Sequence, residues 1–201
     1  MRRPLVLASS SAHRRLLLAR LRLPFTVARP AVDETRHDGE APSRLVERLA
    51  RAKAQAVASG HPGSLIIGSD QVAVCAGVVL NKPLDFETAR RQLRAQSGRR
   101  VEFLTGLCLL NAATGRVQID CVPYRVWMRE LGDDHIDAYL HAETPYDCAG
   151  GLRSEGLGIS LLSRMQGEDP TSLIGLPLIR LCGMLGVEGV EVPAGARDPG
   201  P

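Results

Sequence analysis

Residues 5–18 read LVLASSSAHRRLLL, an apolar run that breaks at three serines, a histidine and two arginines before it turns apolar again. The run over residues 4–8 predicts a short buried strand, and Ser11 is a favourable N-cap for the helix that follows. A strand that feeds a helix is the repeating unit of α/β folds. Further strands and helices alternate along the chain until a hairpin intervenes, so we predict a mixed sheet in an α/β domain.

The turn between this strand and this helix carries more donors than a cap requires. The start of a helix has free N–H groups and a partial positive charge, so phosphate binds there readily. Ser9 lies in the turn with its hydroxyl group, and Arg14 could grip two phosphate oxygens at once. We therefore predict an anion site; the alternative is a serine-capped surface helix with solvated arginines.

The other elements follow from periodicity and turn residues. Predicted strands cover residues 25–28, 64–69, 78–80, 100–110, 117–128 and 157–162, and residues 31–35 and 166–172 are predicted loops. Predicted helices cover residues 42–59, 86–96 and 133–140, the last capped by Asp133, and a final helix has Pro177 in its first turn. The strand from Ser64 is expected to end at Asp70, at the carboxyl edge where α/β folds bind ligands.

The composition is that of an ordinary globular protein: 201 residues, 44% hydrophobic and 23% charged, enough for one large domain or two small lobes. We recognise no signal peptide and no apolar run near the roughly 20 residues that span a bilayer, and expect a cytoplasmic protein. A net charge of +3, scattered arginines and 3% aromatic residues argue against nucleic-acid binding. Five cysteines without C-x-x-C spacing indicate reduced, mostly structural thiols rather than a disulfide framework or a zinc site.

Lysine is used at two positions only, Lys53 and Lys82, among 25 Lys and Arg residues. An ammonium group is compact, so a tight phosphate pocket can require lysine where the arginine fork would not fit. Lys53 falls within the apolar stripe of its helix. The other members of that stripe are Val46, Leu49, Ala56 and Val57. Such a lysine either contacts a ligand or carboxylate, or snorkels past the edge of the core.

Two carboxylates, Glu34 and Asp70, are candidate metal ligands, because Mg²⁺ favours one or two carboxylates together with substrate phosphates. A turn cap or a surface ion pair is the alternative for each. A nucleoside triphosphate carries roughly four negative charges, which Arg14, Lys53, Lys82 and a metal would offset. Because the chain lacks a G-x-x-x-x-G-K loop, the pattern predicts phosphoryl chemistry without a P-loop.

Eight short motifs follow one another along the chain. They are LASSSAHRR at 7–15, VDET at 32–35, AKA at 52–54, GSDQ at 68–71, NKP at 81–83, SG at 97–98, TG at 105–106 and GLPL at 175–178. Their order and spacing resemble the Maf family of nucleoside-triphosphate pyrophosphatases over residues 4–190. The resemblance implies an α/β fold with a mixed, elongated, twisted sheet, helices on both sides and two lobes around a cleft. It also implies one catalytic domain over residues 1–192. Separately, we expect the tail over residues 193–201 to be disordered.

The motif GSDQ, with CAGGLRSEG at 148–156, resembles the branch of the family that acts on 7-methyl-GTP. By this resemblance Asp70 is the proton acceptor, and His13, Gln71 and Glu155 select the base. The donor edge of 7-methylguanine suits a carboxylate such as Glu155. The chain departs from this branch at Ala12 and His13, where Pro-Trp is usual. Trp is the better cation–π platform, so the departure is expected to weaken binding by on the order of 1 kcal/mol.

The resemblance implies hydrolysis of a nucleoside triphosphate, first of all 7-methyl-GTP, to the monophosphate and pyrophosphate. The cofactor of this reaction would be a divalent cation (Mg²⁺, Mn²⁺ or Co²⁺) held by Glu34 and Asp70. The phosphates of the substrate would contact Ser9, Arg14, Lys53 and Lys82. A preference for dTTP, UTP or CTP is the nearer alternative. A non-catalytic regulator of cell division that binds nucleotides or nucleic acid is the more distant one. We expect a small nucleotide as partner and no membrane, with a homodimer left open.

Overall fold

The computed structural model describes residues 3–193, which form seven strands and six α-helices. The strands are β1 (Leu5–Ala8), β2 (Thr26–Ala28), β3 (Leu65–Cys75), β4 (Val78–Leu80), β5 (Arg100–Asn111), β6 (Val117–Met128) and β7 (Leu162–Gln166). The helices are α1 (Ala12–Ala19), α2 (Pro42–Ala56), α3 (Phe86–Gln96), α4 (Asp133–Glu143), α5 (Pro170–Ile174) and α6 (Leu178–Val187). Within residues 3–193, no helix has the length and apolar character that crossing a membrane requires.

One mixed sheet contains all seven of these strands. Its order is β2-β1-β3-β5-β6-β7, and β4 pairs with β3. β1 runs parallel to β2 and β3, whereas β5, β6 and β7 continue the sheet in antiparallel fashion. The predicted mixed α/β architecture is therefore confirmed.

The long strands β3 and β5 carry two separate apolar clusters on one face. Near the start of β3, Leu65 and Ile67 pack with buried leucines of α1 and α6. Near its end, Ala73 and Cys75 pack with α3 and α4. The polar side chains of Ser69 and Gln71 lie between the two clusters on the same face, because side chains alternate along a strand. The two clusters define two lobes with a polar boundary between them.

Helix α2 covers the opposite face of the sheet. Its Ala50 and Ala54 pack against Ile66 of β3, and the backbone approach is very close. A Cβ at Gly68 would lie 2.0 Å from the carbonyl oxygen of Ala50, and one at Gly106 would lie 2.1 Å from that of Val46. Helices therefore flank the sheet on both sides, as predicted, and two glycines allow α2 to lie directly on it.

The prediction that the strand ends at Asp70 was wrong. Asp70 lies in the middle of β3, since that strand runs to Cys75. The parallel partner β1 does end here, with Ala8 opposite Gly68, but β5 pairs with β3 along its whole length and β4 pairs with its last three residues. Asp70 thus lies just past the carboxyl end of β1 while its own strand continues.

Several other boundaries differ from the predictions. Residues 157–161 form a 3₁₀ helix instead of a strand, because Glu143 accepts a hydrogen bond from the Leu157 N–H and Gly158 closes on Arg153; the strand is β7. Part of the predicted 166–172 loop is the start of α5. Asp133 is the first residue of α4, after the N-cap Gly132, and its carboxylate binds Arg94.

The end of α2 also differs from its prediction. The helix stops at Ala56, and a 3₁₀ turn over Ala58–Gly60 follows. Ala56 is exposed, so it is not part of the apolar stripe, whereas Ala50 and Ala54 are. The predicted tail over residues 193–201 lies outside the described residues except for Pro193.

Candidate active site

A buried lysine between two carboxylates forms the centre of the candidate site. Lys53 projects from α2 toward the sheet, and its Nζ lies 2.6 Å from Oδ1 of Asp70 and 2.6 Å from Oε1 of Glu34. The side chain of Lys53 is 8% exposed and that of Asp70 is 11% exposed. The lysine that was anomalous in the apolar stripe is therefore satisfied by two carboxylates. It does not snorkel to the surface.

The electrostatics of Glu34 follow from this arrangement. Partial burial alone would raise the pKa of Glu34, but the hydrogen bond and charge of Lys53, with the charges of Lys82 and Arg14, lower it below its ordinary value. Glu34 therefore stays ionised under mildly acidic conditions. Lys82 is exposed in the segment after β4, near enough for its charge to act on Glu34.

The loop that carries Glu34 is attached to α2 by a pair that the sequence did not reveal. Arg48 donates to both carboxylate oxygens of Glu40, at 2.7 and 2.8 Å, and to the carbonyl oxygen of Thr35 at 3.0 Å. Because Thr35 follows Glu34 directly, these bonds position the Glu34 carboxylate. Glu40 lies just before α2 and Arg48 lies inside it, eight residues further on, a spacing that gives no local pattern that would have predicted this contact.

The start of α1 lies beside the carboxylates. The Arg14 side chain is half-buried, and its Nε donates to the carbonyl oxygen of Gly175 at 2.8 Å. Burial lowers the pKa of Arg14, and the charges of Asp70 and Glu34 oppose that shift, so the three groups lie near one another. Ser9 is buried in the same turn, and its Oγ accepts a hydrogen bond from the Ser11 N–H.

Gln71 lies on the face of β3 opposite Asp70, at the polar boundary between the lobes. Its Nε2 lies 2.9 Å from Oγ1 of Thr105 and 2.7 and 3.1 Å from the carbonyl oxygens of Ser172 and Leu173 in α5. Within residues 3–193, its Oε1 accepts no hydrogen bond. The amide thus ties α5 to the sheet and leaves one acceptor for a ligand.

His13 and Glu155, both predicted to select the base, are in contact. Nδ1 of His13 lies 2.8 Å from Oε1 of Glu155. The loop that carries Glu155 is held on α4 by Tyr139, whose hydroxyl donates to the Gly151 carbonyl at 3.0 Å and accepts from the Arg153 N–H at 2.9 Å. Burial raises the pKa of Tyr139, so the phenol keeps its proton in this role.

The five cysteines are free thiols, as predicted. Burial raises the pKa of Cys108 and of Cys148 to about 12, with the Asp147 and Glu155 charges adding to the shift at Cys148. Thiols with such pKa values are poor nucleophiles. We therefore assign no nucleophilic role to Cys108 or Cys148.

The carboxylate pair is suited to a divalent cation. The ammonium of Lys53 already occupies a position between Glu34 and Asp70, and only one oxygen of each carboxylate contacts it. Carboxylate oxygens combined with substrate phosphates are the donor set that Mg²⁺ prefers. Glu34 and Asp70 could therefore hold a hard divalent cation, with Arg14, Lys53 and Lys82 available to phosphate.

A site of this kind, with hydrogen-bond donors for phosphate at a helix start beside one buried and one exposed carboxylate, is typical of proteins that act on nucleotides. The family model for Maf-like proteins matches residues 4–187, and the chain belongs to this family. A 7-methyl-GTP pyrophosphatase of Pseudomonas syringae pathovar tomato is 63% identical over 94% of this chain and 98% of that protein. One from Pseudomonas aeruginosa is 55% identical over 94% of this chain and 98% of that protein. Among solved structures, the Ham1 protein of Staphylococcus aureus is similar over 64% of this chain and 73% of that chain, with a TM-score of 0.45 and 14% identity.

Proposed function

We propose that this protein is a nucleoside-triphosphate pyrophosphatase that hydrolyses 7-methyl-GTP to 7-methyl-GMP and pyrophosphate. The observation that carries the proposal is the buried Lys53 between Glu34 and Asp70, at 2.6 Å from each, beside the arginine-bearing start of α1. The relatives named 7-methyl-GTP pyrophosphatase, which match 94% of this chain, support this choice of substrate.

The charge of the site supports a triphosphate as substrate. Three cations, Arg14, Lys53 and Lys82, face two carboxylates, Glu34 and Asp70, which leaves one net positive charge. A triphosphate brings roughly four negative charges, so a divalent cation together with these residues would nearly neutralise it. We assign Arg14, Lys53 and Lys82 to the phosphates, with Ser9 as a further donor in the turn before α1.

Hydrolysis needs a base beside the α-phosphorus. Asp70 would accept a proton from the water that attacks the α-phosphorus, while the α–β bridging oxygen leaves with pyrophosphate. Lys53 donates to Asp70 and so keeps its carboxylate oriented. The divalent cation (Mg²⁺, Mn²⁺ or Co²⁺) that Glu34 and Asp70 would hold supplies Lewis-acid stabilisation of the phosphoryl oxygens.

Hydrogen-bond acceptors of the protein would select the nucleobase. 7-Methylguanine presents N1–H and an amino group, both donors, and the carboxylate of Glu155 and Oε1 of Gln71 are both acceptors. His13 would stack against the cationic ring, with Glu155 fixing its orientation. Stacking on imidazole is weaker than on indole, so we expect the preference for 7-methyl-GTP over GTP to be moderate.

A turnover panel with Asp70→Asn tests the proposal. Pyrophosphate release from 7-methyl-GTP, GTP, dTTP, UTP and CTP is measured with Mg²⁺, Mn²⁺ and Co²⁺. The wild-type protein should act most rapidly on 7-methyl-GTP, and Asp70→Asn should lower kcat on the order of 10²–10⁴-fold because the proton acceptor is lost. Asp134→Asn, the same change at an exposed site on α4, is the control. Unchanged turnover in correctly folded Asp70→Asn protein would contradict the mechanism.

A further inference from the structure

Three side chains of types that bind metals, a histidine, an aspartate and a cysteine, meet at His13, one of the residues that would select the nucleobase. His13, at the start of α1, meets Asp147 and Cys148, which precede the 3₁₀ turn Ala149–Gly151, and their ligand atoms all lie within 4.8 Å of one another. Oδ2 of Asp147 lies 3.6 Å from Nε2 of His13. Its Oδ1 lies 3.6 Å from Sγ of Cys148. The group shares no residue with the Glu34, Lys53 and Asp70 centre.

The two 3.6 Å distances, one to each carboxylate oxygen of Asp147, are close to those between neighbouring ligands of a tetrahedral zinc centre, and the third pair of ligand atoms lies within 4.8 Å. Zinc bonds of roughly 2.0–2.3 Å to nitrogen, oxygen and sulfur place neighbouring ligand atoms about 3.3–3.8 Å apart. Imidazole, carboxylate and thiolate are all zinc ligands, and three protein ligands leave a fourth position for water. Binding of the cation would release the thiol proton of Cys148, which is how metal sites obtain their thiolates. Small side-chain rotations would therefore bring all three donors to bonding distance of one ion.

The surroundings of His13 also resemble those of a metal-binding histidine. Glu155 lies 2.8 Å from Nδ1, so it favours the tautomer whose proton is on Nδ1 and whose lone pair is on Nε2, toward Asp147. A carboxylate on the non-ligating nitrogen is the usual partner of histidines that bind zinc. The segment that carries Asp147 and Cys148 is also fixed, because the N–H of Gly150 donates to the carbonyl oxygen of Asn81.

We propose that His13, Asp147 and Cys148 form a binding site for a borderline or soft divalent cation such as zinc, with Glu155 orienting His13. The two candidate cation sites of the protein then differ in chemistry. Glu34 and Asp70 offer only hard oxygen donors, which suit Mg²⁺, whereas a site with imidazole and thiolate prefers Zn²⁺ or Co²⁺. Excess Mg²⁺ should therefore occupy the carboxylate pair without blocking the second site.

Titration of the full chain with Co²⁺ in the presence of excess Mg²⁺ tests the site directly. One equivalent of Co²⁺ should produce a thiolate-to-metal charge-transfer absorption, and Zn²⁺ should displace it. Cys148→Ser should abolish the absorption. Cys182→Ser, the same change at another partly buried cysteine, on α6, should leave it intact. Absence of the absorption in the wild-type protein, or its persistence in Cys148→Ser, would overturn the proposal.

A second variant tests whether Glu155 orients His13, without removing any of the three metal ligands. Glu155→Gln keeps the shape of the side chain but removes the charge beside His13, so Co²⁺ affinity should fall by about 10–100-fold while the absorption at saturation persists. Wild-type affinity in this variant would overturn the role of Glu155.

The effect on turnover rests on the proposed function, because His13 would then serve both the base and the cation. Zn²⁺ should raise the KM for 7-methyl-GTP in the wild-type protein and not in Cys148→Ser. The spectral titration needs no turnover, so it distinguishes a wrong site from a wrong function. If the Co²⁺ spectrum is as expected but Zn²⁺ leaves the KM unchanged, only the overlap between the cation site and the nucleobase pocket is disproved.

Discussion

At the scale of single residues, the two lysines of this chain take part in one electrostatic group. Lys53 lies between Glu34 and Asp70 and is buried, whereas Lys82 is exposed and its charge acts on Glu34 from the segment after β4. An arginine at position 53 would need room for a planar fork under α2, where the backbone already touches the sheet. The compact ammonium is the group that fits.

Replacing Lys53 by methionine tests this balance. Lys53→Met would leave the mostly buried Asp70 without its ion-pair partner, so we expect the free energy of unfolding to fall by about 3 kcal/mol. Added Mg²⁺ should restore part of the loss, because a cation that binds the native carboxylates stabilises the fold. Urea unfolding with and without Mg²⁺ measures both effects. Lys82→Met, at an exposed position, is the control and should change stability by no more than about 0.5 kcal/mol. Wild-type stability of Lys53→Met would contradict the assigned role.

By the resemblance to the branch that acts on 7-methyl-GTP, Ala12 and His13 stand where Pro-Trp is usual. His13→Trp would place a stronger cation–π surface beside the methylated base, and we expect several-fold higher selectivity for 7-methyl-GTP over GTP, corresponding to on the order of 1 kcal/mol. The ratio of the two kcat/KM values measures it. GTP serves as the internal control because its base is uncharged. A ratio that stays the same or falls would show that position 13 does not stack on the base.

At the scale of elements, the position of α2 on the sheet decides where Lys53 points. The helix lies on β3 and β5 through Gly68 and Gly106, whose missing side chains leave room for the carbonyl oxygens of Ala50 and Val46. Glycine inside a strand often marks such an approach of another backbone. The close contact brings the ammonium of Lys53 within reach of Asp70.

Gly68→Ala should displace α2 from the sheet. Because the new Cβ would lie 2.0 Å from a backbone oxygen, no side-chain rotation relieves the clash. We expect a loss of at least about 3 kcal/mol in the free energy of unfolding, measured by urea denaturation. Gly183→Ala, inside α6 with no atom within 4 Å of the new Cβ, is the matched control and should raise stability by up to about 1 kcal/mol. Equal stability of the two variants would show that α2 does not lie as close as described.

At the scale of the whole molecule, a polar layer joins two apolar lobes. Ser69 and Thr105 donate to the carbonyl oxygens of Gly175 and Ser172, so both long strands are bound to the region of α5 between the lobes. Ion pairs between helices add to this frame, as between Arg90 of α3 and Asp137 of α4. A ligand that binds at this boundary would therefore affect the packing of both lobes.

The response of the molecule to acid follows from its carboxylates. The hydrogen bond from Arg48 lowers the pKa of Glu40 to about 2, and hydrogen bonds also lower the pKa values of Asp33, Asp85 and Asp133. Each depressed pKa means that the unfolded chain takes up protons first as the pH falls, so stability is lost below the ordinary carboxylate values. Urea midpoints should be nearly constant from pH 7 to about 5 and decrease progressively from about pH 4.5 toward pH 2.

Glu40→Gln tests the largest of these contributions. Because the amide does not titrate, the decrease between pH 4.5 and about 2 should become shallower than in the wild-type protein. Glu168→Gln, the same change at an exposed position, is the matched control. An identical slope in Glu40→Gln and wild-type protein would show that the Arg48 contact does not act on Glu40 as described.

Local signals predicted most elements correctly. The caps Ser11 and Asp85 each accept a hydrogen bond from the N–H three residues on, and the helix after Asp85 has the predicted bounds. Capping and periodicity depend on neighbours in the chain, so they can be read from it. The apolar residues 157–162 were wrongly predicted to be a strand. Glu143 of α4 accepts a hydrogen bond from the Leu157 N–H, and residues 157–161 form a 3₁₀ helix.

The sequence by itself determined the mixed α/β class, the strand–turn–helix unit at residues 5–18 and that Lys53 needs either a partner or an exit to water, because each is a property of local pattern or of a charge in an apolar stripe. Only the tertiary structure decided which partners Lys53 takes, that Asp70 lies inside a strand, and that Asp147 and Cys148 meet His13. The physical reason is that strand length depends on the neighbouring strands. Contacts between different elements, whether 17 residues apart as for Lys53 and Asp70 or more than a hundred apart as for His13 and Asp147, depend on how the sheet and helices pack.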